Sequence, residues 1–509
     1  MFRDDHYVFP FLLRRRYSTR LDGCEVQVSA RQIRLVWAGA GVLCVAVLYF
    51  LIQRRPGFLN SPEILGAIIL LELVLASLWH YEAVVFPLLI VFFLWAGMDV
   101  PLISVGLSAR WFVLGFAACA GFVIWMRQHR HSFNEFHLVA LFCVIAALVS
   151  AIVSSDPSTS VLKVLSLSLL FLYGSTGGRL ALVGREAKLL RGLVVCCEVI
   201  VYITAIAYLG VGEPIWGNPN SLGAVIGVVF VPILLWGMIV AESPSQRYRR
   251  MAALFISGVL LYVSVSRASM LAAATAVFVL CVTLRMQRLL VKGAFAVALF
   301  LAFSAVVDPS HFASFTSSLT SQILYKGKDE EGLLGSRLSP WQETIAVIKE
   351  RPYFGSGFGT SYMGEFASRG TLSLAPSAGG LYTKEGTNRE HGNSYLALAE
   401  YVGIIGLIPF GFLLFLTIRM IYRVCLKLRR TNNPYIGAAP LAAVLLAGLV
   451  HAFFEDWLFA VGYYLCVFFW TVAFWTCDLI STSETAPVRS SLSVRSPSIA
   501  ATADVFSNR

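Results

Sequence analysis

Apolar runs of bilayer length recur along most of the chain and limit what it can fold into. A helix that crosses the hydrocarbon core needs roughly 20 predominantly apolar residues. Hydrophobic residues make up 57% of the 509-residue sequence and charged residues only 14%. Soluble domains contain roughly 45–50% apolar and about 25% charged residues, so a soluble core cannot absorb this excess. The sequence therefore predicts an all-α, polytopic membrane protein of about 12 to 14 transmembrane helices.

The candidate spans fall into two groups on either side of one long polar segment. They lie at roughly 33–52, 62–79, 83–98, 111–126, 136–153, 160–174, 189–209, 221–240, 251–266, 268–284, 290–307, 394–417, 435–454 and 457–477. The predicted organisation is a tail at 1–32, a transmembrane bundle at 33–307, a large loop at 308–393, transmembrane helices at 394–477 and a disordered tail at 478–509.

Lysine and arginine in the short loops set the predicted orientation, because such loops face the cytoplasm. Basic clusters near 127–130, 179–191 and 419–430 mark the cytoplasmic side, which places both tails there and the 308–393 loop outside. Only Arg54 and Arg55 depart from this alternation. The net charge of +11 therefore indicates contact with the bilayer and not with nucleic acid, since no basic groove or stacking platform is visible.

The outer loop contains a predicted helix start beside an arginine. Ser339 is a candidate N-cap, Pro340 suits the first helical position, and Gln342 completes a capping box. Arg337 precedes this cap, where unpaired N–H groups already favour an anion, so it is a candidate phosphate ligand.

Trp341 follows the predicted cap and shares a helix face with Ile345 and Ile348, which predicts packing against the membrane domain. The glycine-rich stretch 355–359 lacks the lysine and strand context of a nucleotide loop, so it reads as a turn. The ten cysteines show no metal-ligand spacing, and we expect no metal and no cofactor.

Further candidates lie near predicted membrane entries. His391 can accept a proton near neutral pH, and Asn393 after it is a candidate helix cap. Arg267 stands between two apolar runs, where an arginine usually pairs or faces a cavity. His451 and Glu455 are spaced i, i+4 for one helix face.

Two glutamates and one turn complete the set. Asn218 and Asn220 flank Pro219 in a predicted turn and helix cap. Glu72 and Glu198 lie inside apolar runs, where ionisable groups are functional candidates, and they favour a transporter as one alternative.

In this order, the motifs resemble the O-antigen ligase and Wzy-type polysaccharide polymerase superfamily. The matching pieces are Gly217-Asn218-Pro219-Asn220, Ser264-Val265-Ser266-Arg267-Ala268-Ser269, Gly335-Ser336-Arg337 followed by Trp341, Arg351-Pro352-Tyr353-Phe354-Gly355-Ser356-Gly357, the His/Asn-Ser-Tyr-Leu start at 391–396, and Glu400, Gly403 and Gly406. They cover about 220–410, and Gly392 departs from the family's direct His-Asn pair.

The resemblance implies a GT-C-like, metal-independent transferase in a bacterial inner membrane that uses undecaprenyl-diphosphate-linked glycans. Arg267 and Arg337 would bind the diphosphate, and His391 would activate the acceptor hydroxyl. The remaining candidates would contact substrate: Asn218, Asn220, Trp341, Asn393, Glu400, His451 and Glu455.

Three functions remain open from the sequence. The first is a polymerase of exopolysaccharide or O-antigen repeat units, working beside a flippase and a chain-length regulator. The second is a ligase that moves a finished glycan to lipid A core or another acceptor. The third is a transporter of lipid-linked oligosaccharide or an ion-coupled transporter, against which stands the lack of visible internal repeats.

Overall fold

A computed structural model of the chain describes residues 80–100, 103–128, 133–212, 215–293, 295, 302, 335–361, 391–434 and 436–485. The predicted spans 33–52 and 62–79, most of 290–307, and the residue Glu72 lie outside these ranges. Within them every regular element is a helix, and no strand occurs. The prediction of an all-α polytopic membrane protein is confirmed.

The helices follow the predicted apolar runs. In chain order they are α1 Tyr81–Ala96, α2 Ile103–Gln128, α3 Glu135–Ile152, α4 Pro157–Ser175, α5 Gly177–Leu182, α6 Glu186–Ala205, α7 Pro219–Val225, α8 Val231–Ile239, α9 Pro244–Val263, α10 Arg267–Thr283, α11 Gly335–Glu350, α12 Ser394–Thr431, α13 Ala438–Ala452 and α14 Tyr464–Thr485. A π-helical turn at Ile206–Val211 extends α6, and another at Ile226–Phe230 joins α7 to α8.

Six of the described helical segments are long and apolar enough to cross a membrane: Val105–Arg127, Glu135–Ile152, Pro157–Leu182, Glu186–Val211, Pro219–Ile239 and Ser394–Thr431. Shorter apolar helices are Tyr81–Ala96, Arg267–Thr283, Ala438–Ala452 and Tyr464–Ile480. Because the helices alternate in direction, the N-terminus of α4 and the C-termini of α3 and α13 lie at one end of the bundle. We call it the outer end, after the predicted orientation.

Helix α14 is the buried centre of the bundle. It is apolar on all sides and buried along most of its length, as expected of a helix surrounded by other helices. It packs against α1, α4 and α13. The helix continues to Thr485, beyond the predicted tail boundary at 478, and Asp478 is buried in an ion pair with Arg179 at 2.6 Å.

Ion pairs join helices at the end opposite the outer end. Glu198 contacts Arg249 at 2.7 Å and Arg250 at 3.2 Å, and Arg185 contacts Glu82 at 2.9 Å. Glu198 is thus neutralised by two arginines of α9, which explains its place in an apolar run without a transport role.

Candidate active site

A break in helix α12 positions the first part of the site. Gly403 has φ +63, and a Cβ there would lie 2.4 Å from the carbonyl oxygen of Tyr353. The stretch after α11 fits into this break through backbone hydrogen bonds, from the Ser356 N–H to the Glu400 carbonyl at 2.8 Å and from the Ile404 N–H to the Pro352 carbonyl at 2.8 Å. Only glycine allows both this conformation and this close approach.

The glycine-rich stretch 355–359 is a structural turn, as the sequence predicts. Ser154, at the end of α3, donates to the Ser356 carbonyl at 3.0 Å, and Ser160 in α4 donates to the Phe358 carbonyl at 3.0 Å. These bonds hold the turn against the outer end of the α3–α4 hairpin.

His391 is held between two carboxylates just before α12. Its Nδ1 lies 2.7 Å from Oδ2 of Asp456, and its Nε2 lies 3.2 Å from Oε2 of Glu400. Ser361 Oγ is 3.3 Å from Nε2, and the Tyr401 ring stands edge-on to the imidazole. The histidine side chain is fully buried, whereas 20% of the Asp456 side chain is exposed.

The two carboxylates decide the protonation state of His391. Burial alone lowers the pKa of the ring, but Asp456 and Glu400 outweigh burial and raise the pKa to about 9. At neutral pH the ring is therefore an imidazolium, and it is not the free neutral base expected from its sequence position. Of the groups in direct contact with it, Asp456 is the carboxylate that an entering substrate can reach.

Arg337 lies in the first turn of α11 and not before it. The predicted capping box is wrong, because the helix begins at Gly335 and Ser339 sits inside it with its hydroxyl on Glu343 Oε1 at 2.9 Å. The predicted packing face is also shifted: Thr344 and Val347 are fully buried, whereas Ile345 is 42% exposed.

Contacts with two other segments hold Arg337 in place. Its guanidinium forms an ion pair with Glu455 and packs over Gly392, where a Cβ would lie 2.8 Å from Nη1. Gly392 has φ +61, and its carbonyl accepts the Trp341 indole N–H at 3.2 Å. The glycine that interrupts the family's His-Asn pair therefore makes room for Arg337, and it leaves His391 within the site.

Arg267 opens α10 beside this arginine. The two guanidinium groups are close enough to repel each other. The turn that precedes Arg267 contains Val265 at φ 50, a strained conformation for a β-branched residue. Ser264 and Ser266 of the same turn pack against Gly223 of α7.

His451 and Glu455 do not share a helix face, because α13 ends at Ala452. The predicted i, i+4 pair is therefore wrong. His451 accepts the Trp457 indole N–H on Nδ1 at 2.8 Å, and its Nε2 lies 3.1 Å from Ser269 Oγ. Since indole only donates, this pairing fixes the neutral ring with its proton on Nε2. The Ser394 hydroxyl accepts a hydrogen bond from the backbone N–H of Trp457 and holds the same turn in place.

The three candidate asparagines lie at or next to helix starts. Asn218 accepts from the Asn220 N–H at 2.8 Å, and Asn393 accepts from the N–H groups of Tyr395 and Leu396 at 2.8 and 3.1 Å. Among the described residues, neither Asn218 nor Asn220 bonds to the groups around His391 and Arg337. Glu400 and Trp341 do belong to that group, because Glu400 contacts His391 and Trp341 donates to the Gly392 carbonyl.

Sequence reasoning gave Asp456 no role of its own, although it contacts His391 directly. Its neighbours gave no helical periodicity, because the segment between α13 and α14 is a series of turns. In the part of the chain that the structure describes, no group of three or more His, Cys, Asp or Glu side chains could hold a metal ion. Asp456 and Glu400 bind opposite nitrogens of one ring, so they do not converge on one point.

The motif residues lie together at the outer end of the bundle: Arg267, Arg337, His391 and Glu400. Residues 252–411 match the O-antigen ligase family. The resemblance seen in the motifs is thereby confirmed. The match supports a membrane glycan transferase of the ligase or polymerase type that acts on a lipid-linked glycan. His451, Glu455 and Asp456 lie beyond it, and no curated protein matches the chain.

Proposed function

We propose that this protein polymerises lipid-linked repeat units, transferring a glycan from a diphosphate lipid carrier to an acceptor sugar hydroxyl. One observation carries the proposal: two arginines, Arg267 and Arg337, lie at the outer end beside an ion pair. This pair joins the buried His391 imidazolium to the partly exposed Asp456 carboxylate. Fixed cations suit a departing diphosphate, and a carboxylate suits the removal of a hydroxyl proton.

The arginines act on the leaving group. As the bond between the anomeric carbon and the phosphate oxygen breaks, the diphosphate takes the electron pair and gains negative charge. Arg337 meets this charge by exchanging its partner Glu455 for the diphosphate, and Arg267 adds a second cation. A guanidinium fork binds phosphate oxygens through two parallel hydrogen bonds.

Asp456 acts on the acceptor. The acceptor hydroxyl oxygen forms the new bond to the anomeric carbon and gives its proton to the Asp456 carboxylate. His391 stays behind this carboxylate, where it orients Asp456 and stabilises its negative charge before the transfer. Glu400 holds the opposite nitrogen of the ring and fixes its plane. His391 is thus a positioning residue, and the base is the carboxylate in contact with it.

A ligase is the second candidate function, and the description of the matched family favours it. It would use the same undecaprenyl-diphosphate-linked donor and leaving group and would differ only in its acceptor. Deletion of the gene separates the two. Single repeats accumulating on the carrier at the outer face of the inner membrane support the polymerase, whereas long carrier-linked chains support the ligase. Intermediates trapped at the cytoplasmic face would contradict both.

A further inference from the structure

Two cations near the outer end have no part in the chemistry above. Arg110 lies in α2 and Lys163 in α4, and these helices pack against each other. Arg110 is only 2% exposed, with its guanidinium 5.0 Å from the centre of the Trp111 ring. One of its nitrogens donates to the Gly462 carbonyl at 2.7 Å, and its Nε has no hydrogen-bond partner among the described residues.

Lys163 brings a second positive charge to the same place. Its methylene groups line Gly359, where an added Cβ would lie 3.0 Å from Cγ. Its ammonium lies within electrostatic range of both Arg110 and Asp456. Within the described ranges, no carboxylate comes within ion-pair distance of either cation.

The buried arginines at the opposite end of the bundle differ from Arg110 in this respect. Arg179 contacts Asp478, and Arg250 contacts Glu198. For Arg110, one carbonyl and one aromatic ring compensate only in part for the hydration lost on burial, because no anion is paired with it among the described residues. Two adjacent cations add mutual repulsion. An arrangement of this kind gains stability when an anion enters between them.

We propose that Arg110 and Lys163 form a second oxyanion site, which binds a phosphate or carboxylate group of the acceptor glycan. The acceptor assignment rests on the proposed function, because Lys163 lies within electrostatic range of Asp456, the carboxylate that takes the acceptor's proton. Arg267 and Arg337 serve the donor diphosphate instead, and Arg337 is held by its ion pair with Glu455. The site therefore selects acceptors with an acidic substituent close to the reacting hydroxyl.

Equilibrium dialysis of the purified full-length protein in detergent with labelled inorganic pyrophosphate tests the site. The wild type should bind two equivalents, Lys163→Met one, and Arg337→Gln one. Lys163→Met keeps the methylene packing on Gly359, and Lys163→Arg should restore the second equivalent. Lys188→Met removes an exposed lysine of α6 and should bind as the wild type does. Full binding by Lys163→Met would overturn the proposal.

Competition with undecaprenyl diphosphate identifies which substrate uses the site. Displacement of one of the two bound pyrophosphates supports the acceptor assignment. Displacement of both would assign the cations to the donor and overturn it. Displacement of neither would contradict the proposed donor at Arg337, while the Lys163→Met comparison still decides the second site.

Discussion

Nδ1 of His391 lies 2.7 Å from Oδ2 of Asp456. This contact joins the segment just before α12 to the turn after α13. The two residues come from distant parts of the sequence, so their pairing depends on the packing of α12 against α13. Because the imidazole also contacts Glu400, it is a buried cation between two anions. Its charge state links the chemistry of the site to the stability of the fold.

The raised pKa of His391 predicts how stability depends on pH. Its folded-state pKa of about 9 exceeds the ordinary 6.5, so its contribution is complete below pH 6.5 and is lost as pH rises through 9. The full contribution amounts to roughly 3 kcal/mol, at 1.36 kcal/mol per pKa unit. Thermal unfolding in detergent, followed by tryptophan fluorescence, should show Tm falling from pH 6.5 to 9.5. His391→Gln should flatten this slope, and an unchanged slope in that variant would contradict the ion-pair geometry.

Arg337→Gln should lower the transfer rate on the order of 10²-fold, because it removes a fixed cation from the leaving group. It also removes the ion pair between Arg337 and Glu455, at a cost of about 1–3 kcal/mol in folding free energy. The double variant Arg337→Gln with Glu455→Gln should recover the Tm without recovering activity. If the double variant regained both, Arg337 would have only a structural role.

Gly403→Ala should destabilise the protein and reduce transfer, because it forces a left-handed backbone and a clash with the Tyr353 carbonyl. The conformation alone costs about 1–2 kcal/mol. Gly411→Ala is the matched control, since it lies in the same helix with open space around it and should stabilise by about 0.5–1 kcal/mol. Thermal unfolding of both variants measures the difference. Equal shifts would mean that the break in α12 does not position the 352–357 stretch.

The membrane class and most spans could be predicted because apolar run length reports directly on helices in a bilayer. Arg267, Arg337, His391 and Glu400 could be selected because their motifs resemble a family, and the structure brings them together. The predictions that were wrong concern helix ends, where residue type and spacing alone gave the wrong boundary. Ser339 is a residue type that favours helix caps, but the helix begins at Gly335, five residues before the predicted first position at Pro340. Arg337, in the first turn, contacts Glu455 and Gly392.

Partners across the fold could not be read from sequence spacing. The i, i+4 pattern of His451 and Glu455 assumed that the helix continued, whereas it ends at Ala452 and sends the two side chains to different partners. The contact between Asp456 and His391 depends on the packing of α12 against α13, which sequence spacing does not reveal. Arg110 and Lys163 did carry a signal, since both are charged residues at or within predicted spans, but nothing in the sequence places one beside the other.

The most direct test of the central claim is release of undecaprenyl diphosphate by the reconstituted full-length protein supplied with carrier-linked repeat units. The wild type should release the free carrier while longer glycans appear, and Asp456→Asn should slow release by on the order of 10²-fold or more, since it removes the proposed base. Carrier release by Asp456→Asn at the wild-type rate, or no release by the wild type, would contradict the account.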